Sequence, residues 1–116
     1  MSRVLLAEDD ELMAMAMEDL LTDLGYEVVG PAPSIRQALT LIEQTPFDVA
    51  ILDLALSDGE SYPVADRLRK NDIPFVFATG READAIDPRF KDAPVLLKPF
   101  ETDAMHRMLQ DLIAAR

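Results

Sequence analysis

The chain has 116 residues, 49% of them apolar, which is enough for one compact domain and too little for two. Twenty-two acids against 11 lysines and arginines leave a formal net charge of −11, a field that repels phosphate backbones, so nucleic acid is not an expected partner. No apolar run is long enough to span a membrane, the N-terminus does not read as a signal peptide, and the absence of cysteine excludes disulfides and thiolate metal sites, a pattern that fits a cytoplasmic protein.

Arg3–Ala7 is a short apolar run of strand length. Glu11–Leu24 carries Leu12, Met15, Met17, Leu20, Leu21 and Leu24 at near-helical spacing, and Gly25 stops it. Glu27–Gly30 reads as a second strand. Ser34 is placed to N-cap a helix over Ile35–Gln44, with Ile35, Ala38, Leu39, Leu41 and Ile42 on or near its buried face, and Thr45-Pro46 ends it. Asp48–Asp53 is apolar at nearly every position, as expected of a strand buried on both faces. Glu60–Asn71 predicts a third helix with Val64, Ala65 and Leu68 inward, and Pro74–Ala78 and Val95–Leu97 predict two more strands.

Between Thr79 and Val95 the helical period is interrupted by Pro88 and Pro94, and only Ala85, Ile86 and Phe90 are obvious core candidates. The fourth helix is therefore expected to be short or irregular, with Gly80–Pro94 the least ordered part of the chain. Thr102 or Asp103 is expected to cap a last helix whose apolar positions are Met105, Met108, Leu109, Leu112 and Ile113. The methionines at 13, 15, 17, 105 and 108 read as core filler, and His106, the only histidine, as an exposed helix position. Strand–helix alternation repeated five times predicts one α/β domain over residues 1–116, with a five-stranded parallel sheet covered by helices on both faces.

In such a sheet ligands bind outside the carboxyl ends of the strands. Asp53 ends the apolar third strand, and a Ser57-Asp58-Gly59 turn closes the same run. Glu8-Asp9 follows the first strand, Thr79 the fourth and Lys98-Pro99 the fifth. An acid at position 53 has no local reason, because Leu54-Ala55-Leu56 keeps the chain apolar beyond it. Helix-dipole compensation favours acids after the first strand. Four in a row (Glu8, Asp9, Asp10, Glu11) exceed what a cap needs, and a hard cation with oxygen ligands would offset their repulsion. Asp10 and Glu11 are assigned to the helix start, and Glu8 and Asp9 to the cation. Three carboxylates beside one lysine point to a divalent-metal site for phosphoryl chemistry, with Asp53 as nucleophile.

Over essentially its whole length the chain resembles the receiver domains of two-component response regulators. The resemblance rests on Glu8-Asp9, on Asp53 within Leu-Asp-Leu-x-Leu-x-Asp-Gly, on Thr79 and on Lys98-Pro99-Phe100. It implies a flavodoxin-like (βα)5 fold with strand order 2-1-3-4-5. It implies transfer of a phosphoryl group from a histidine kinase or a phosphotransfer protein to Asp53. It also implies Mg2+ held by Glu8, Asp9, Asp53 and the backbone carbonyl of Ala55, phosphoryl contacts from Thr79 and Lys98, and a cis Lys98-Pro99 bond. The aromatic that the family often carries three residues before the lysine is Val95 here. Phe77-Ala78-Thr79-Gly80 resembles a single-domain subfamily named for that motif, with Arg81 where a tyrosine often follows.

A stand-alone receiver without an output domain is the expectation, acting through a downstream protein target, and not as an enzyme beyond its own phosphoryl transfer and dephosphorylation. The competing reading is a small Mg2+-dependent phosphohydrolase with an aspartyl nucleophile. Ala55 stands where such enzymes usually place a second, general-acid aspartate.

Overall fold

The computed structural model describes residues 2–80, 86–98 and 101–115. In chain order the elements are β1 (Arg3–Ala7), α1 (Glu11–Asp23), β2 (Glu27–Ala32), α2 (Ile35–Gln44), β3 (Val49–Asp53), β4 (Ala55–Leu56), β5 (Gly59–Glu60), α3 (Tyr62–Lys70), β6 (Phe75–Thr79), a 3-10 turn over Pro88–Phe90, β7 (Val95–Leu97) and α4 (Thr102–Ala114). The main sheet is parallel throughout and runs β2-β1-β3-β6-β7, which is order 2-1-3-4-5 when its own strands are counted.

Alternation along the strands builds two separate cores. In β1, Leu5 and Ala7 face one side of the sheet and Val4 and Leu6 the other, all fully buried. The first side packs Ala38 and Ile42 of α2 and Val64, Ala65 and Leu68 of α3. The second packs Met17 and Leu21 of α1 and Met105 and Leu109 of α4. Each wholly buried Leu or Phe contributes roughly 1.5–3 kcal/mol of hydrophobic stabilisation before its entropy cost is counted.

Several boundaries differ from expectation for local reasons. β2 continues past Gly30 to Ala32 through a cis Gly30–Pro31 bond, and its register against β1 shifts between Leu5 and Ala7. Gly30 is required there. Its φ is +105°, and a Cβ would stand 2.9 Å from both the Leu6 carbonyl oxygen and the Ala32 nitrogen. Glu60 belongs to the β4–β5 hairpin, so α3 begins at Tyr62, with Pro63 in its first turn. The N-cap position of α4 is Glu101, without a side-chain cap bond, rather than Thr102 or Asp103. Ser34 caps α2 as expected, its Oγ accepting from the Gln37 N–H at 3.1 Å.

Two expectations about side chains are corrected. Leu12, Met13 and Met15 do not enter the core, being 80%, 37% and 62% exposed, whereas Met17 and Met105 are buried. His106 is half-buried and shares a 3.3 Å hydrogen bond with the hydroxyl of Tyr26, joining α4 to the α1–β2 turn. Of the segment expected to be poorly anchored, Arg81–Ala85 lies outside the described residues. Ile86 and Phe90 are buried, and Phe90 stacks on Tyr62 with ring planes 5° apart. Ala85 as a core candidate also falls outside the described residues.

Candidate functional site

Register brings the strand-end residues together. Ala7 pairs with Leu52, so Glu8 and Asp53 stand side by side one residue further on. Asp53 pairs with Ala78 and Thr79 with Leu97, which sets Thr79 and Lys98 along the same edge. The site therefore lies at the carboxyl ends of β1, β3, β6 and β7, where the chain's connections from β1 and β3 leave toward opposite flanks.

Its side chains are tied to one another. The Lys98 Nζ donates to Glu8 Oε1 at 2.7 Å and to Asp53 Oδ2 at 3.4 Å, while the Lys98 backbone N–H donates to the Thr79 carbonyl at 2.8 Å. Glu8 is 3% exposed and Thr79 2%. The Glu8 backbone N–H donates to the Ala32 carbonyl, and the Asp10 N–H reaches back to Glu8 Oε2 at 3.3 Å. Asp10 serves as the N-cap of α1, accepting from the Met13 N–H at 3.0 Å, so the acidic run divides between helix and pocket as its chemistry suggests. Asp9 is exposed at the pocket mouth.

Charge in this pocket is unbalanced. Burial, then the closeness of Asp53 and its charge, hold the Glu8 carboxyl above its ordinary value of 4.5, although the Lys98 hydrogen bond pulls it down. Burial lowers the Lys98 ammonium, yet the Glu8 hydrogen bond and the Asp53 and Glu8 charges outweigh it, and the group is raised above 10.5. Among the described residues, one ammonium faces three carboxylates.

Oxygens of Glu8, Asp9 and Asp53 lie within 4.8 Å of one another. Two oxygens on one Mg2+ stand at most about 4.2 Å apart, given Mg–O distances of about 2.1 Å. Adjacent oxygens on an octahedral Mg2+ stand about 3 Å apart, so the three carboxylates would close in on the ion, and all three are the hard oxygen donors it takes. Ala55, the expected carbonyl ligand, opens β4 opposite Glu60, two residues past Asp53. The expected cis bond at Lys98-Pro99 falls on Pro99, outside the described residues.

Asp58 has a structural role that the turn motif did not disclose. Its carboxylate accepts from the Ile35 N–H at 2.7 Å and the Arg36 N–H at 3.3 Å, capping α2 from the hairpin that follows β3. Those bonds, the one from Ile35 foremost, hold it below its ordinary 3.8. The signal available in the sequence was an acid in a turn, with nothing to show which helix it would reach.

Residues 4–110 match the response regulator receiver domain family, and the chain belongs to it. It is 32% identical to the transcriptional regulatory protein PdtaR of Mycobacterium tuberculosis, over 97% of this chain and 54% of that protein. It thus spans about half the length of the curated relative. It is 31% identical to the response regulator receiver protein CpdR of Brucella abortus, over 99% of this chain and all of CpdR. The solution structure of SdrG from Sphingomonas melonis Fr1 superposes with a TM-score of 0.84 at 44% identity, covering 97% of each chain. The BeF3-activated conformation of SdrG, from Pseudomonas melonis Fr1, gives 0.81 at 45%, covering 96% of this chain and 95% of that one. The fold is thus the flavodoxin-like receiver fold of two-component signalling. Among the described residues no helix is long and apolar enough to cross a membrane.

Proposed function

We propose that this receiver domain, residues 1–116, is switched by a phosphoryl group carried on Asp53, taken from a phosphohistidine of a sensor kinase or phosphotransfer protein in the cytoplasm. The observation that carries the reading is the meeting of Glu8, Asp53 and Lys98 within hydrogen-bond distance at one strand edge, with Asp9 completing an oxygen set. An Asp53 carboxylate oxygen attacks phosphorus, the new O–P bond forms as the P–N bond to imidazole breaks, and the imidazole leaves with its electron pair. The Lys98 ammonium, already 3.4 Å from Asp53, turns from Glu8 toward a phosphoryl oxygen, and the Thr79 hydroxyl donates to another.

Glu8, Asp9, Asp53 and the Ala55 carbonyl would hold Mg2+, which when bound neutralises charge on the transferring group. The exposed Leu12 and Met15 on α1 favour a protein donor, since they set an apolar surface beside an otherwise acidic pocket. We assign the domain no turnover of external substrates, and its output to a downstream protein.

Incubation with acetyl phosphate and Mg2+ followed by intact mass measurement tests this. One labile phosphoryl group is expected, absent from Asp53→Asn. Full labelling of that variant would remove Asp53 from the role, and many turnovers of a phosphomonoester per chain would favour the phosphohydrolase.

A further inference from the structure

Tyr62, the first residue of α3, follows directly on a residue bonded to the segment after Asp53 and itself touches the far end of the connection that leaves Thr79. On the acceptor side, the N–H of Ser61 donates to the carbonyl of Leu54 at 2.8 Å, so Tyr62 is held one residue from a clamp on Asp53's neighbour. On the other side, the Tyr62 hydroxyl accepts from the Asp87 backbone N–H at 2.8 Å.

Its ring lies parallel to Phe90 at 5.3 Å and edge-on to Phe77 at 6.1 Å, and Phe77 is two residues before Thr79 in β6. Downstream of Asp87 the chain is fixed. Phe90 is 1% exposed, the Arg69 guanidinium sits 4.5 Å over its ring, and Arg69 also reaches the Arg89 carbonyl and Asp92. Asp87 is thus where a segment locked onto α3 meets the chain that comes from Thr79. Val95, paired with Phe77 in register, carries no ring that could report on Thr79.

We propose that Tyr62 is a positioning residue whose hydroxyl bond to the Asp87 amide belongs to the unphosphorylated state and opposes phosphoryl binding. The inference rests on Asp53 as acceptor and Thr79 as phosphoryl contact. Drawing Thr79 toward a group on Asp53 moves β6, on which the Tyr62 ring packs at Phe77, relative to α3, and the load falls on the Tyr62–Asp87 hydrogen bond at that boundary. By linkage, a bond that is stronger in the free state lowers affinity for the phosphoryl group by the same factor.

The test is titration with beryllofluoride and Mg2+ of the wild type, Tyr62→Phe and Ile42→Val, with amide exchange read at Asp87. Tyr62→Phe keeps the stack and loses only the hydroxyl. Ile42→Val, in the α2 core, is a control of mild destabilisation that leaves Tyr62 untouched. Expected are protection of the Asp87 amide in the free wild type, its loss on beryllofluoride binding, and about two- to tenfold tighter binding by Tyr62→Phe, the range of one neutral hydrogen bond. Ile42→Val should bind as the wild type does.

Equal affinity of Tyr62→Phe and wild type overturns the inference. So does weaker binding by Tyr62→Phe, or the same gain in Ile42→Val, which would make the effect one of general stability. If the wild type binds no beryllofluoride, the Asp53 reading fails and takes this inference with it, a result distinct from the others.

Discussion

Glu8 governs the balance of the pocket because it is the most buried of its acids, with a side chain only 2% exposed and the shorter bond to Lys98. Replacing Lys98 by Ala leaves that carboxylate without its cation, and a loss of about 1.5–3 kcal/mol at neutral pH is expected for a charged hydrogen bond. The pH dependence has a definite sign. Glu8 is raised above 4.5 in the fold, so its contribution is full below 4.5 and is lost as pH rises through the folded value. Without Lys98 that folded value rises further, so the gap between wild type and Lys98→Ala should narrow as pH falls from 7 toward 5. Lys98 itself, raised above 10.5, titrates only in the alkaline range and does not disturb this window. Urea midpoints at the two pH values measure it, and a gap independent of pH would exclude Glu8 as the group concerned.

Asp58 carries the opposite sign. Held below 3.8, it contributes stability that is present above 3.8 and lost as pH falls through its lower folded value. Asp58→Ala should lower the melting temperature at pH 7 and approach the wild type in strong acid. A difference that persists at pH 2 would mean the turn, not the charge on the cap, is what the substitution damages.

At the level of elements, α1 shows where a periodic pattern misleads. Leu12 and Met15 belong to the same run of apolar residues as Met17 and Leu21, yet only the latter two reach the core, because Ala14, Met17 and Leu21 share one face of the helix and Leu12 and Met15 lie on the opposite one. Such exposure makes a clean test of a donor surface. Leu12→Ser with Met15→Ser should change stability by no more than about 0.5 kcal/mol. Labelling from acetyl phosphate should be unchanged, while transfer from the protein donor slows. Equal slowing from both donors would place the damage in the pocket and not in docking.

Other elements were legible for definite reasons. β3 and β6 read directly as strands because burial on both faces leaves them apolar throughout, and Ser34 announced α2 by cap chemistry. The β4–β5 hairpin was not legible, since two-residue strands carry no period. Nor was the extension of β2 beyond Gly30, because proline there argues against a strand until the bond's geometry is known. The aromatic packing of Tyr62, Phe77 and Phe90 was hidden for another reason, since contacts between residues far apart in sequence leave no local trace. The site residues, by contrast, were visible as a set, because a parallel sheet brings every strand's carboxyl end to one edge whatever the loops between them do.

Across the whole molecule the net charge of −11 raises the question of whether a divalent cation stabilises this protein by occupying a place or by thinning a field. Diffuse screening depends on ionic strength and would be matched by a monovalent salt. A site saturates and depends on particular oxygens. At roughly twenty times its dissociation constant, one-site linkage gives Mg2+ about 1.8 kcal/mol. For a domain of this size that is roughly 7 °C in melting temperature. Asp53→Asn removes one of the three clustered carboxylate charges while lowering the overall charge by only one part in eleven, so a field effect would hardly notice it. Melting curves in Mg2+ and in KCl at equal ionic strength separate the two. The wild type should gain stability in Mg2+ beyond its gain in KCl, and Asp53→Asn should lose most of that excess. If KCl reproduces the full shift, or if Asp53→Asn retains it, the acids at the strand ends are a repulsive cluster and not a cation site.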